Sequence, residues 1–257
     1  MGCAHVVTSS SLSDGLPCGW APRGGGTGDA GRTMRICALI PAYNEADVIG
    51  DLVVAVRSRV AEVTVVDDGS TDGTGDRATQ AGALCLRLDE NQGKGAAVRH
   101  ALSRIATGDF THVLLMDGDG QHRPEDIRSL VEMARASGAD LVIGARALDR
   151  SRMPRSRHFS NTVGSRLASW LVGRTVLDSQ SGFRLIRTEC LKTLPLRARR
   201  YELEMEMLIK LCRQGASVAH APVALVYDGG RARSKMHPIR DTVRICLWSL
   251  AFRYLGV

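Results

Sequence analysis

The chain has 257 residues, 44% of them apolar, enough to build one large core, so a globular domain is expected. No stretch reaches about 18 consecutive apolar residues, so no transmembrane helix is expected. Its formal net charge of +7 points to anionic partners such as phosphates or an anionic membrane surface. Aromatic residues make up only 4%, too sparse for base-stacking platforms, so nucleic acid is not the expected partner.

Residues 1–33 are rich in Gly, Ser and Pro, contain GGGTG and lack a continuous apolar region. They are expected to form a disordered leader, not a signal peptide. Gly2 follows the initiator, but Val6 stands where a myristoylation signal wants Ser or Thr, and Met34 is a candidate start. The seven cysteines, at 3, 18, 37, 85, 190, 212 and 246, form no C-x-x-C pair and read as small apolar residues in a reducing compartment.

From Arg35 onward, short apolar runs alternate with amphipathic stretches, the pattern of βαβ units around a mostly parallel sheet flanked by helices. Strands are expected at 35–40, 63–66, 84–88, 112–116 and 140–145. Val48, Ile49, Leu52, Val53 and Val56 follow helical spacing, as do 95–105 and 124–134, the last opening on Pro-Glu-Asp. The domain is expected to span 34–236. Residues 237–257 then read as one amphipathic helix, either interfacial on an anionic leaflet or packed on the domain or a partner subunit.

In sheets of this kind the ligand crevice lies beyond the carboxyl ends of the strands. Here the first strand runs into IPAYNEADVIG, the second into VVDDGSTDGTGD, the third is followed by ENQGKGAAVRHA, and the fourth ends in MDGDGQH. Taken singly, each segment also reads as a loop, a turn or an N-cap. Together, Asp67, Asp68, Asp117 and Asp119 crowd one sign of charge at one sheet edge, which calls for a cation or hydrogen-bond donors. The second half is basic instead, with thirteen Lys/Arg against three Asp/Glu between Arg146 and Arg200.

IPAYNE, VVDDGSTDGT, NQGKG, MDGDGQH and DSQSGFR, in that order, closely resemble family 2 glycosyltransferases, and within them the dolichyl-phosphate mannose synthases and bacterial polyprenyl-phosphate glycosyltransferases. The resemblance runs from about Arg35 to about Asp241. It implies an α/β GT-A (Rossmann-like) nucleotide-diphospho-sugar transferase fold. It also implies an inverting, metal-dependent transfer of a hexose from a GDP-mannose or UDP-glucose type of donor to a polyprenyl or dolichyl phosphate. By resemblance, Asp117, Asp119 and Gln121 hold Mg²⁺ or Mn²⁺, whose preference for hard oxygen ligands agrees with the residue types. Pro41, Tyr43, Glu45, Asp68, Lys94, Asp117, Gly118 and Lys235 are implied on the donor, with Asp67 and Ser70 supporting their loop. Arg146, Arg157 and Arg184 match the acceptor region, where guanidinium groups suit a phosphate; Arg146 joins Asp117 and Asp119 as catalytic. Arg150, Arg152, Arg197, Arg199 and Arg200 read as solvated, and Glu204 and Glu206 as orienting arginines or sugar.

A lipid phosphate is already ionised near neutral pH, so no dedicated base is required. The implied partners are a nucleotide sugar, a polyprenyl phosphate, and a membrane surface or membrane-anchored subunit, with the protein cytoplasmic and peripheral on the inner face of the cell membrane. Two alternatives stay open: a transferase of the same family with another acceptor, and a non-catalytic nucleotide-binding module. A Rossmann dehydrogenase is excluded because G-x-G-x-x-G is missing after the first strand.

Overall fold

The computed structural model describes residues 33–146, 155–200, 202–224 and 244–249, with backbone alone at 106 and 155–160. Residues 1–32 of the expected leader, 237–243 and 250–257 of the expected C-terminal helix, Arg150, Arg152, Lys235 and the side chain of Arg157 therefore lie outside the described residues.

β1 (Ile36–Ala42) is buried at every position. Its side chains alternate: Cys37 and Leu39 enter one core, while Ile36, Ala38, Ile40 and Ala42 enter the other. A strand covered on both faces reads as a continuous apolar run, which is why RICALI was legible as one. β2 (Glu62–Asp67), β3 (Leu84–Arg87), β4 (His112–Leu115), β5 (Leu141–Arg146), β6 (Arg184–Arg187) and β7 (Val218–Val223) join it in one sheet of order β3-β2-β1-β4-β6-β5-β7. β6 runs antiparallel to β4 and β5, and every other pairing is parallel.

The helices are α1 (Ala46–Arg57), α2 (Thr74–Gln80), α3 (Lys94–Thr107), α4 (Ile127–Ser137), α5 (Arg155–Val172), α6 (Thr188–Lys192) and α7 (Leu203–Arg213). α1, α2 and α4 bury Ile49, Leu52, Val53, Val56, Ala78, Ile127 and Leu130 on one face of the sheet. α3, α5, α6 and α7 cover the other, where Ile245 of the helical segment 244–249 also packs. Pro124–Asp126 forms a single 3₁₀ turn ahead of α4, with proline at the position where a missing N–H is harmless.

β6 and β7 were not anticipated. β6 is four residues bounded by arginines, and β7 carries His220 and Pro222, so neither shows an uninterrupted apolar run. β7 pairs only with β5 among the described strands, and an edge strand tolerates proline.

The sheet order places β1 between β2 and β4. After β3 the chain crosses to the other side of β1, which makes the carboxyl ends of β1 and β4 a topological switch point, the usual place for a ligand crevice in such sheets. Register aligns the same edge: Ala42 lies beside Asp67, Asp67 beside Arg87, and Leu115 beside Arg184. The motif loops thus leave the sheet on one side. The described cysteines, Cys37, Cys85, Cys190, Cys212 and Cys246, are all free. No helix among the described residues is long and apolar enough to cross a membrane.

Candidate active site

The loop after β1 is laced to the loop after β2. Backbone N–H groups of Asn44, Glu45 and Ala46 donate to Ser70 Oγ (2.9 Å), Thr74 Oγ1 (2.9 Å) and Asp72 Oδ2 (3.0 Å). The first amides of a helix lack intrahelical acceptors, so the SxDxT run caps α1 from a distant part of the chain. Asp72 also accepts from Thr74 N at 3.0 Å and Thr74 Oγ1 at 2.5 Å. Burial disfavours its carboxylate, but these bonds together outweigh it and hold its pKa below the ordinary value. Thr71 N returns a 3.0 Å bond to Asn44 Oδ1, and Asn44 takes a left-handed φ of 52°, which Asn tolerates. Pro41 closes β1 in the core, while Tyr43 and Glu45 stay half-buried at the edge.

Asp67 at the end of β2 and Asp68 just beyond it both accept from backbone amides. Asp67 accepts from Ser70 N at 2.9 Å and faces Arg87 at 3.6 Å, giving the support expected of it. Asp68, expected at a base edge, accepts instead from Gln92 N and Gly93 N, both at 2.8 Å. It ties the end of β2 to the start of α3. Burial raises its pKa against the pull of those two bonds.

At the end of β4, Asp117 meets Lys94, whose ammonium contacts Asp117 Oδ1 and Glu204 Oε1 together. His122 Nε2 lies 3.7 Å from the other Asp117 oxygen, and its ring stacks on Phe183 at 5.0 Å. Burial pushes the Asp117 carboxyl up, yet the Lys94 charge and His122 more than reverse this, and the group is held well below the usual carboxylate range. Burial likewise opposes the Lys94 ammonium, but Asp117 and Glu204 outweigh it and raise its pKa. Asp119 behaves oppositely: burial, and then the charge of Asp117, raise its pKa, while Gln121 N donates to its Oδ1 at 3.0 Å.

Lys94 is fixed from both sides. Glu206, two residues beyond Glu204 on α7, accepts from Arg197 N (2.8 and 3.0 Å), Ala198 N (2.7 Å) and Lys210 Nζ (2.6 Å). The 197–199 backbone so anchored lies against the glycines flanking Lys94: Gly95 N donates to Arg199 O at 2.8 Å, and a Cβ on Gly95 would fall 2.2 Å from Ala198 O. Gly93, at φ +92°, is barred to a side chain both by its conformation and by Arg199 O at 2.4 Å. Gly182 closes over the charges, since a Cβ there would lie 2.5 Å from Asp117 Oδ2 and 2.8 Å from Lys94 Nζ. A Cβ on Gly118 would lie 3.1 Å from both Ala42 Cβ and Pro41 O, so a glycine lets the loop after β4 lie close against the end of β1.

Of the expected acceptor arginines, Arg146 ends β5 and forks onto buried Asp178, with Nε–Oδ2 2.5 Å and Nη2–Oδ1 2.8 Å. Burial disfavours the Asp178 carboxylate, but Arg146 overcomes this and lowers its pKa. Arg184, also expected there, is engaged by the framework instead. It is wholly buried and donates to the main-chain oxygens of Ser181 (2.8 Å), Glu204 (2.6 Å) and Ser179 (2.7 Å). It holds the DSQSG turn to α7 and presents no charge to a phosphate. Arg197, Arg199 and Arg200 are exposed as expected, though their backbone borders Lys94.

The donor set fits a hard divalent cation. Asp117 and Asp119 supply carboxylate oxygens of one sign whose proximity is relieved by positive charge. Gln121 Nε2 is buried without a partner, whereas the carbonyl end of that amide is the one suited to a metal. No group of three or more His, Cys, Asp or Glu is gathered for a metal among the described residues. Magnesium-type sites commonly need only one or two protein carboxylates when substrate phosphates complete the shell.

His122, Asp178 and the Glu204 contact were missed from sequence. His122 and Asp178 lie inside quoted motifs but carry no distinguishing signal there. Glu204 acts across 110 positions of sequence, which no local pattern encodes.

At this switch-point edge Asp117 and Glu204 share one lysine, and Asp119 stands two residues beyond Asp117. The Glycosyl transferase family 2 model matches residues 37–195, and the chain belongs to that family. It is a glycosyltransferase. It is 30% identical over 239 residues to the undecaprenyl-phosphate mannosyltransferase of Micrococcus luteus, covering 87% of this chain and 98% of the relative. It is 28% identical over 237 residues to the polyprenol monophosphomannose synthase of Mycolicibacterium smegmatis, covering 86% and 89%. Among solved structures, glucosyl-3-phosphoglycerate synthase from Mycobacterium tuberculosis, in complex with Mn²⁺, UDP and glucosyl-3-phosphoglycerate, superposes with a TM-score of 0.64. That likeness, at 22% identity and covering 87% and 79% of the two chains, supports the GT-A fold.

Proposed function

We propose that the protein transfers a hexose from a nucleotide diphosphate sugar of the GDP-mannose or UDP-glucose type to a polyprenyl or dolichyl phosphate at a membrane surface, with inversion and with Mg²⁺ or Mn²⁺. The observation that carries the acceptor class is the commitment of the acidic residues. Glu204 is paired with Lys94, Asp178 with Arg146, and Glu206 with main-chain amides and Lys210. A hydroxyl acceptor usually calls for a carboxylate base, whereas an ionised phosphate attacks without one. The lipid-phosphate relatives support the same reading, as does Mn²⁺ with UDP in the structural neighbour.

In this reading Asp117 and Asp119, with the Gln121 carbonyl, hold the ion, which when bound offsets charge building on the leaving diphosphate. Pro41, Tyr43 and Glu45 line the nucleoside side, and Lys94, Gly118 and Lys235 border the phosphates. Arg146, oriented by Asp178, and Arg157 place the acceptor phosphate in line with the anomeric carbon. The test is release of nucleoside diphosphate from GDP-mannose and UDP-glucose, each with a polyprenyl phosphate and Mn²⁺. Turnover dependent on the lipid phosphate is expected, with Asp119→Ala lowering kcat by on the order of 100-fold. Undiminished turnover in that variant, or none with any lipid phosphate, would refute the reading.

A further inference from the structure

We propose that the Lys94 ammonium is a resident counter-cation on Asp117, so that the free protein takes up a divalent ion weakly and the nucleoside diphosphate opens the site to it. The inference rests on the preceding assignment of Asp117 and Asp119 to the ion.

Three observations carry it. The ammonium touches an oxygen of Asp117, and it is held there by a second carboxylate, Glu204, from another helix. Its backbone cannot withdraw, because Gly93 and Gly95 on either side are pressed against the 198–199 chain. Gly182 packs over the pair so closely that a Cβ there would meet both Asp117 Oδ2 and Lys94 Nζ, which leaves no room for another side chain on that side. Asp119 meanwhile lacks any comparable ion pair among the described residues.

A divalent ion arriving alone must bind next to a monovalent one sharing the same carboxylate, and the two repel strongly where water is scarce. A diphosphate changes the balance. Lysine is a point charge on a flexible four-carbon stem, so its head can move from carboxylate to a phosphate oxygen while the backbone stays fixed. The released Asp117 oxygen then faces the ion. Linkage makes the effect reciprocal: whatever factor the nucleotide adds to metal affinity, the metal adds to nucleotide affinity.

Mn²⁺ binding, followed by loss of the free-ion paramagnetic resonance signal, tests this without turnover. Wild type, Lys94→Met, Glu204→Gln and the Lys94→Met/Glu204→Gln double variant are titrated with Mn²⁺ alone, then with GDP and with UDP. The double variant removes both members of the buried pair and so avoids stranding one charge. Lys94→Met is expected to bind Mn²⁺ alone about tenfold tighter than wild type, a typical coupling factor, and the double variant tighter by a smaller factor because it also loses the Glu204 charge. Glu204→Gln moves the opposite way, because it deletes a negative charge and leaves the ammonium to Asp117. Nucleotide tightens Mn²⁺ in wild type by a larger factor than in the double variant.

If the folded Lys94 variants bind Mn²⁺ no tighter than wild type, while Asp119→Ala abolishes nucleotide-dependent uptake, the counter-cation is overturned and the metal assignment stands. If wild type takes up no Mn²⁺ even with either nucleotide, and the variants none, the metal assignment itself falls and takes this inference with it.

Discussion

Arg184 illustrates how a residue can match a motif and still serve the framework. Its guanidinium satisfies three main-chain carbonyls from two segments, with no exposed surface. Replacement by Met strands those acceptors in the interior, each at about 1–3 kcal/mol, so Arg184→Met is expected to cost about 3 kcal/mol or more. For a domain of this size that is a fall in Tm of about 10 °C in a thermal melt. Lysine cannot reach all three positions, so Arg184→Lys should recover only part. An unchanged Tm with a raised acceptor KM would restore the acceptor role read from sequence. Asp178 gives a pH signature at the same scale. Its folded pKa is depressed by Arg146, so between the unfolded value near 3.9 and the lower folded one the unfolded chain binds the extra proton. The stability it contributes is fully present above about pH 5 and is lost as pH falls below about 4. Melting curves from pH 7 to pH 3 should converge for wild type and Asp178→Asn at the acid end. A constant gap across that range would contradict the ion-pair account.

At the level of elements, the most legible parts were those whose pattern is local. β1, α1 and α4 announce themselves by continuous burial or by helical spacing, and the structure has them within a few residues of expectation. β6 escaped because an antiparallel strand inserted between β4 and β5 is defined by its partners, not by its own four residues. The strand-end loops were legible as a site but not as a lattice of mutual caps: the roles of Asp72 and Thr74 depend on the amides of residues 45 and 46, a pairing formed only after β1 and β2 are side by side. The partners Asp68 has in the structure were illegible for the same reason, since they arrive with the start of α3. The lacing predicts that Asp72→Ala weakens the start of α1. Asp72 is exposed, so its charge is largely screened, and the loss is that of an N-cap, about 1 kcal/mol. A Tm lower by about 2–4 °C is expected, with Asp72→Asn close to wild type because an amide oxygen also caps. Faster amide exchange at Ala46 in the alanine variant would locate the effect. Exchange unchanged there would argue that α1 is held by its buried face alone.

Over the whole molecule, part of the basic charge lies at the edge that carries the site. Arg197, Arg199 and Arg200 are exposed there, whereas Arg174, which donates to Ala216 O, and Lys192 sit toward the opposite end of the sheet. Trp170, 62% exposed, shares α5 with Arg166. The 197–200 stretch is continuous with the wall that holds Lys94. A transferase acting on a lipid phosphate must bring this edge to a headgroup whose chain stays in the bilayer. Basic residues near an anionic leaflet contribute about 1 kcal/mol each, an attraction confined to roughly a Debye length and weakened by salt. The full chain is therefore expected to co-sediment with vesicles containing anionic lipid at low ionic strength, and poorly with neutral ones. Raising salt from about 0.05 to about 0.5 M should weaken binding by about tenfold or more. Replacing Arg197, Arg199 and Arg200 together with Gln should weaken it comparably, since roughly 3 kcal/mol of attraction is at stake even before partial screening. Binding that ignores salt and lipid charge would instead trace membrane contact to apolar surface, and the basic half would then serve the acceptor phosphate alone.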